Sequence, residues 1–233
     1  MKTMPGRLVV AVDGPAGAGK GAVCRFVAVK FHLQYLETGA LYRAVALLSL
    51  RFGGLTEDPE RLAGLARGMA FQYHPVKDRF IATLDGEDVT LALRDESVSM
   101  EASRVAALPA VRKALLDFQR GYGGDKNILL DGRDIGTVVF PEAQLKIFLT
   151  ASVEERAKRR ALELQERGET VSLPRVLEEM RLRDTRDRER AASPMLAAED
   201  AVLVDTTSMT LAESQQRVAA LITPALITPL MRG

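Results

Sequence analysis

Apolar residues along this chain keep two alternating rhythms. Five short runs, at 7–12, 33–36, 127–130, 145–149 and 201–204, are dominated by apolar side chains, and turn or helix signals follow each. Between them, at 20–31, 40–52, 111–122 and 153–167, apolar positions recur with helical spacing. Strands that alternate with helices predict a parallel sheet with helices on both faces. Ligands of such sheets bind beyond the carboxyl ends of the strands, so chemistry is expected just after each run.

Two stretches break the alternation. Residues 71–73 and 80–84 alternate apolar with polar, and Asp85-Gly86 supplies a tight-turn signal before 87–89. They predict a small antiparallel insert of about three strands. Residues 172–190 read as an arginine-rich helix, with Ser172 placed to cap it and Pro174 in its first turn. Along it, Glu179/Arg183 and Asp184/Arg188 have the spacing of ordinary solvated i,i+4 pairs. Arg183, Asp187 and Arg190 fall at i, i+4 and i+7, which puts two guanidinium groups and a carboxylate on one face. The doubled Leu-Ile-Thr-Pro at 221–229 reads as a helix end broken by prolines and carries no functional signal.

Composition narrows the field only a little. The 233 residues suit one domain, or one with inserted subdomains, and 47% hydrophobic with 27% charged residues is ordinary for a globular chain. A formal net charge of +1 gives no basic field for nucleic acid, so anions must be held by locally arranged Arg and Lys. The single cysteine, Cys24, excludes an internal disulfide, fits a reducing compartment and reads as a small buried hydrophobe. The first apolar run stops at Asp13, too soon for a secretory segment, and no stretch approaches the ~20 apolar residues that span a bilayer. A cytoplasmic protein is expected.

Asp13 runs straight into Gly14-Pro15-Ala16-Gly17-Ala18-Gly19-Lys20-Gly21. This is the G-x-x-x-x-G-K part of a P-loop, set after a strand and before a helix as the motif requires. Glycines let backbone N–H groups turn inward around an anion. The following helix points its positive end at the same place, and Lys20 adds a full charge near the β- and γ-phosphates. A glycine-rich turn without a ligand is the alternative, but this spacing in this context points to nucleotide binding. The usual Ser or Thr after the lysine is Gly21, and Ala22 follows, so the loop offers no hydroxyl to Mg²⁺. The metal is left to phosphates, water and a residue such as Asp13 or Asp131.

After the second run comes Glu37-Thr38-Gly39-Ala40-Leu41-Tyr42-Arg43, which suits a second phosphate-bearing ligand. Taken alone, a core Tyr42 and a solvated Arg43 would explain it too. Asp131-Gly132-Arg133-Asp134-Ile135-Gly136-Thr137-Val138-Val139-Phe140-Pro141 is more specific, because charges flanked by glycines at a strand's end are poor material for routine packing. With these three segments the chain resembles bacterial cytidylate kinases, of the P-loop nucleoside monophosphate kinase group, over nearly its whole length. The resemblance implies a single α/β domain over 1–233, a parallel five-stranded P-loop kinase sheet with helices on both faces. To this it adds a small antiparallel NMP-binding insert at about 53–95 and a helical lid at about 165–192.

The resemblance also implies the reaction and its residues. ATP would donate its γ-phosphoryl group, with Mg²⁺, to CMP or dCMP, in a monomer with no nucleic-acid or membrane partner. Gly14, Pro15, Ala16, Gly17, Ala18, Gly19, Lys20, Gly21, Ala22 and Arg159 would lie on the ATP side. Thr38, Tyr42, Arg43, Asp131 and Arg133 would serve CMP, chiefly its phosphate, while Ser103, Arg112 and Asp134 would read the cytosine. Arg183, Asp187 and Arg190 would come from the lid. Phosphoryl transfer needs positioning and charge stabilisation more than covalent chemistry, so Lys20, Arg133, Arg183 and Arg190 would be the catalytic groups. Another small P-loop kinase, acting on UMP, AMP or an alcohol, is the near alternative. A P-loop switch without transferase activity is the distant one, and no N-K-x-D guanine-reading string supports it.

Overall fold

The computed structural model describes residues 7–76, 79–166 and 168–222. In chain order its elements are β1 (Val9–Asp13), α1 (Lys20–Lys30), β2 (Gln34–Glu37), α2 (Thr38–Arg51), α3 (Pro59–Gly68), β3 (Phe71–Val76), β4 (Arg79–Leu84) and β5 (Glu87–Asp88). A 3₁₀ turn at Ala92–Arg94 leads to α4 (Glu96–Val105) and α5 (Pro109–Gly121). Then come β6 (Ile128–Asp131), a π-helical turn at Ile135–Val139, β7 (Leu145–Thr150), α6 (Val153–Glu166), α7 (Leu173–Glu189), β8 (Val202–Asp205) and α8 (Leu211–Leu221). Contacts divide them into two units. One takes the described residues of Met1–Gln34 and Asp125–Gly233, the other Tyr35–Gly124.

The five apolar runs become the five strands of one sheet, in the order β2-β6-β1-β7-β8. At its centre β1 runs parallel to β6, with Val12 beside Asp131, and parallel to β7, with Asp13 beside Phe148. Every residue of β1 and β6 is buried, which is why both are apolar until a final carboxylate. Asp13 and Asp131 therefore stand side by side at the carboxyl ends of two interior strands. The phosphate loop leaves from the first and the 132–139 segment from the second.

In the second unit β3, β4 and β5 form the antiparallel sheet, with Phe71 opposite Leu84 and Thr83 opposite Asp88. Asp85 and Gly86 make its turn at φ 51° and 86°, the left-handed pair that Asp-Gly signals. Tyr35 packs edge-on against Tyr73 and Phe80. The half-buried Tyr122 hydroxyl is directed at the carbonyls of Tyr35 and Tyr73, at 3.0 and 2.6 Å.

The helices depart from expectation in instructive ways. α2 starts at Thr38 and α5 at Pro109, both ahead of the apolar period, and in α5 the proline of the first turn sets the start. α3, α4 and α8 go beyond the expected elements. Two of these carry start signals: Asp58 accepts from the Arg61 amide before Pro59, and Thr210 and Glu213 form a reciprocal capping box. Ser172 does sit at the N-cap of α7, but its hydroxyl makes no capping bond. The proline-broken tail lies outside the described residues, apart from its first two positions.

Gly14 shows how tightly the phosphate loop is seated. At φ +142°, a Cβ there would lie 1.9 Å from the Leu149 carbonyl oxygen, whereas at Gly19, φ +88°, it would meet nothing within 4 Å. Gly14→Ala should therefore lower the unfolding free energy by about 3 kcal/mol or more, since a strand carbonyl cannot yield as a side chain can. Gly19→Ala should cost about 1–2 kcal/mol, from backbone strain alone. Urea titrations of the two variants check the ordering, and equal losses would contradict it.

Candidate active site

Gly19 caps α1 in the left-handed conformation, and Lys20 is the first residue of that helix. The Lys20 side chain is buried, and its Nζ donates to the Pro15 carbonyl at 2.8 Å. Burial pulls its pKa down to about 7. Repulsion from Arg133 acts the same way, while Asp131, Cys24 and Asp13 oppose it. Cys24 is buried in the same helix, the small hydrophobe that was expected.

Asp13 is fully engaged. Its two carboxylate oxygens accept from the amides of Ile135 and Gly136, each at 2.8 Å. Burial pushes its pKa up to about 6 against those two bonds, with Asp134 adding to the rise and Lys20 reducing it. The last residue of β1 thereby fixes the π-helical turn that follows β6.

The charges after β6 meet those of α7. Arg133 Nε donates to Asp187 at 3.0 Å and its Nη1 to the Gly132 carbonyl at 3.0 Å. Arg190 reaches Asp134 at 3.4 Å and also donates to the Ser193 carbonyl. Burial would raise the Asp187 carboxyl, but Arg133, Arg183 and Arg190 outweigh it and hold the group below the usual carboxylate range. Arg183 and Asp187 lie on α7 one turn apart, but the helix ends at Glu189 and Arg190 follows in extended backbone (φ −59°, ψ 134°), so Arg190 meets Asp134 from beyond the helix and not from the i, i+7 face that the spacing predicts.

Asp184 corrects the sequence reading. It is buried with Arg156 of α6 instead of lying solvated beside Arg188. Arg156 stands in a Glu-Glu-Arg-Ala-Lys-Arg-Arg string that gives no sign of which arginine turns inward. Arg159 donates to the carbonyl of Thr206 at 2.8 Å and to its hydroxyl at 3.3 Å. That hydroxyl lies 3.0 Å from the Thr150 carbonyl and 3.4 Å from that of Ala18, so its one proton is best placed for Thr150, and Thr206 ties Arg159 to the end of β7 beside the phosphate loop.

The second unit assembles its own cluster. Thr38 is buried at the start of α2, and Arg43, further along the helix, pairs with Glu37. The other Glu37 oxygen accepts from the Tyr73 hydroxyl at 3.0 Å. Arg43 Nε is buried without a hydrogen-bond partner, an orphan donor of the kind an anion satisfies. The Arg112 guanidinium lies 5.6 Å from the Tyr42 ring centroid and donates to the Ala106 carbonyl at 3.2 Å. Ser103 is partly buried on α4. Sequence reasoning gave Glu37 no role, because a carboxylate among phosphate-binding residues has no motif of its own.

The donor set does not make a resident metal centre. No group of three or more His, Cys, Asp or Glu among the described residues could hold an ion. The loop has no hydroxyl at Gly21 or Ala22, and Asp13 spends both oxygens on backbone amides. Nor is any described helix long and apolar enough to cross a membrane.

The cytidylate kinase family model matches residues 10–224. A cytidylate kinase of Magnetococcus marinus is 52% identical over 227 residues, covering 97% of this chain and 100% of the relative. One of Saccharophagus degradans is 44% identical, covering 92% and 96%. One of Stutzerimonas stutzeri is 47% identical, covering 90% and 93%. The match spans the phosphate loop, the small antiparallel sheet, the segment after β6 and α7, and the chain belongs to the cytidylate kinase family.

Proposed function

We propose that the protein transfers the γ-phosphoryl group of ATP to CMP or dCMP, giving ADP and CDP or dCDP. The observation that carries this reading is Lys20, buried at the amino end of α1 within reach of Asp131 and Arg133, in a chain of this family. A CMP phosphate oxygen attacks the γ-phosphorus as the bond from that phosphorus to the β,γ-bridging oxygen breaks. The attacking oxygen is already anionic, so no general base is required. What the site must supply is cationic donors for two mutually repelling phosphates and for a loose transition state.

Each group then has a task. The 14–22 loop and Arg159 receive ATP, and Lys20 neutralises its terminal phosphates. Arg133, Arg183 and Arg190 stabilise the phosphoryl group in flight, and Asp187 relieves the repulsion among those three cations. Thr38, Tyr42 and Arg43 receive the CMP phosphate, the orphan Arg43 Nε offering a donor that Glu37 does not occupy. Asp131 is the counter-charge to Lys20. Ser103, Arg112 and Asp134 read the base. Residues 53–95 act as the NMP-binding insert and 165–192 as the lid, in a monomer that needs no nucleic acid. Mg²⁺ enters as part of the ATP complex, held by the nucleotide's own phosphates.

Incubation with ATP, Mg²⁺ and each nucleoside monophosphate, followed by ADP release, tests the assignment. CMP and dCMP should support turnover far above UMP and AMP, and equal turnover of UMP would overturn the base-reading role. Cytosine presents a donor at N4, which a carboxylate accepts; uracil presents a carbonyl there and leaves Asp134 facing another acceptor. Asp134→Asn can turn its amide to donate, so it should narrow the CMP-over-UMP ratio in kcat/KM by about 1.5–3 kcal/mol, mainly by losing CMP.

The Lys20 pKa of about 7 makes nucleotide affinity pH-dependent. Bound phosphates raise that pKa, so above about pH 7 binding takes up a proton. Affinity for Mg²⁺–ATP should be flat below that pH and fall by up to about tenfold per unit above it. In Lys20→Arg the charge is permanent and the slope should vanish. A wild-type profile as flat as that of the variant between pH 7 and 9 would rule this out.

A further inference from the structure

Arg156 and Asp184 have no part in the reaction just described, yet they form a sealed ion pair with side chains only 3% and 8% exposed. The pair is a bidentate fork, with Nη2 to Oδ2 at 2.6 Å and Nη1 to Oδ1 at 3.2 Å. The same guanidinium donates from Nε to the Ala151 carbonyl at 2.9 Å, just after β7, and from Nη1 to the Ala16 carbonyl at 3.0 Å, inside the phosphate loop. One side chain thus joins the end of a central strand, the phosphate loop and α7.

Packing leaves that junction little room to slide. A Cβ at Gly17 would lie 2.7 Å from Met180 Cε and 3.3 Å from Arg156 Cβ, so loop and helix are already in contact. Val176 and Met180 of α7 form one apolar cluster with Ala157 and Leu164 of α6. Apolar side chains of similar volume would hold two helices as well as a buried ion pair does, so stability alone does not account for these two charges. Their geometry does, because Arg156 reads a loop carbonyl and Asp184 lies on the same helix as Asp187, with Arg190 just past its end.

We infer that Arg156 and Asp184 are positioning residues that couple nucleotide in the phosphate loop to Asp187 on α7 and Arg190 at its end, so that ATP and CMP bind better together than apart. This rests on the reading above of what the loop and α7 bind. In this structure Lys20 donates to the Pro15 carbonyl. A phosphate oxygen is the stronger acceptor, so nucleotide draws Lys20 off Pro15. The next carbonyl along is Ala16, which Arg156 holds, and any turn of that peptide passes through the fork to Asp184. Three residues further along α7, Asp187 grips Arg133, and Arg190 follows with Asp134.

Calorimetry of CMP binding, with and without the Mg²⁺ complex of the β,γ-imido analogue of ATP, tests the coupling. In the wild type the analogue should tighten CMP by about fivefold or more, and by linkage CMP should tighten the analogue equally. Asp184→Asn keeps the shape of the side chain but loses the charged fork, and the ratio should fall towards one. Arg156→Lys keeps the charge without the fork and should lower the ratio too, which preserves the test if Asp184→Asn proves unfolded by circular dichroism. The ratio is the readout because a purely structural defect weakens CMP binding alike with and without the analogue. A wild-type ratio of one, or an undiminished ratio in a folded variant, overturns the inference. Failure of the wild type to bind CMP at all would overturn the functional reading, and this inference with it.

Discussion

An ammonium group held out of water is the constraint on which this site depends. Lys20 is buried at the amino end of α1, where burial and Arg133 both disfavour its charge and only Asp131, Cys24 and Asp13 support it. Such a group is under-solvated, with a neutral carbonyl, that of Pro15, as its hydrogen-bond acceptor, and an anion would be the stronger partner. Its neighbours follow from that need. Asp13 cannot swing towards the lysine because two backbone amides hold it, so it contributes a fixed field and anchors the turn that carries Arg133 and Asp134.

The remaining cations, in each unit separately, are held by carboxylates in a nearly neutral protein. Arg133 rests on Asp187, Arg190 on Asp134 and Arg43 on Glu37, so each guanidinium is oriented before any ligand competes for it. Pairing of this kind lowers affinity, because a phosphate must displace a carboxylate. It also limits the rotamer entropy lost on binding, since the forks already stand in place.

Much of this was legible in the one-dimensional pattern. The order of strands and helices, the phosphate loop, the Asp-Gly hairpin turn and the placing of Arg183 and Asp187 one turn apart on α7 all rest on local spacing. Spacing along a backbone survives folding, so such features can be read directly. Helix starts at Asp58 and Thr210 carried local signals of the same kind, a capping acid before proline and a reciprocal capping box.

Other features have no local signature. Asp184 has the spacing of a surface i,i+4 acid, and nothing in the string around Arg156 distinguishes it from its exposed neighbours. Their pairing exists because α6 and α7 bring the two positions into one dry space 28 residues apart in sequence. Glu37 became the partner of Arg43 and Tyr73 in the same way, through a strand 36 residues on. The amino-acid sequence by itself determined where the phosphate-loop motif lies, since a glycine loop and a helix end are made of consecutive residues. Only the tertiary structure decided which carboxylate each cation meets, because desolvation and pairing depend on the distance between side chains that the chain order leaves open.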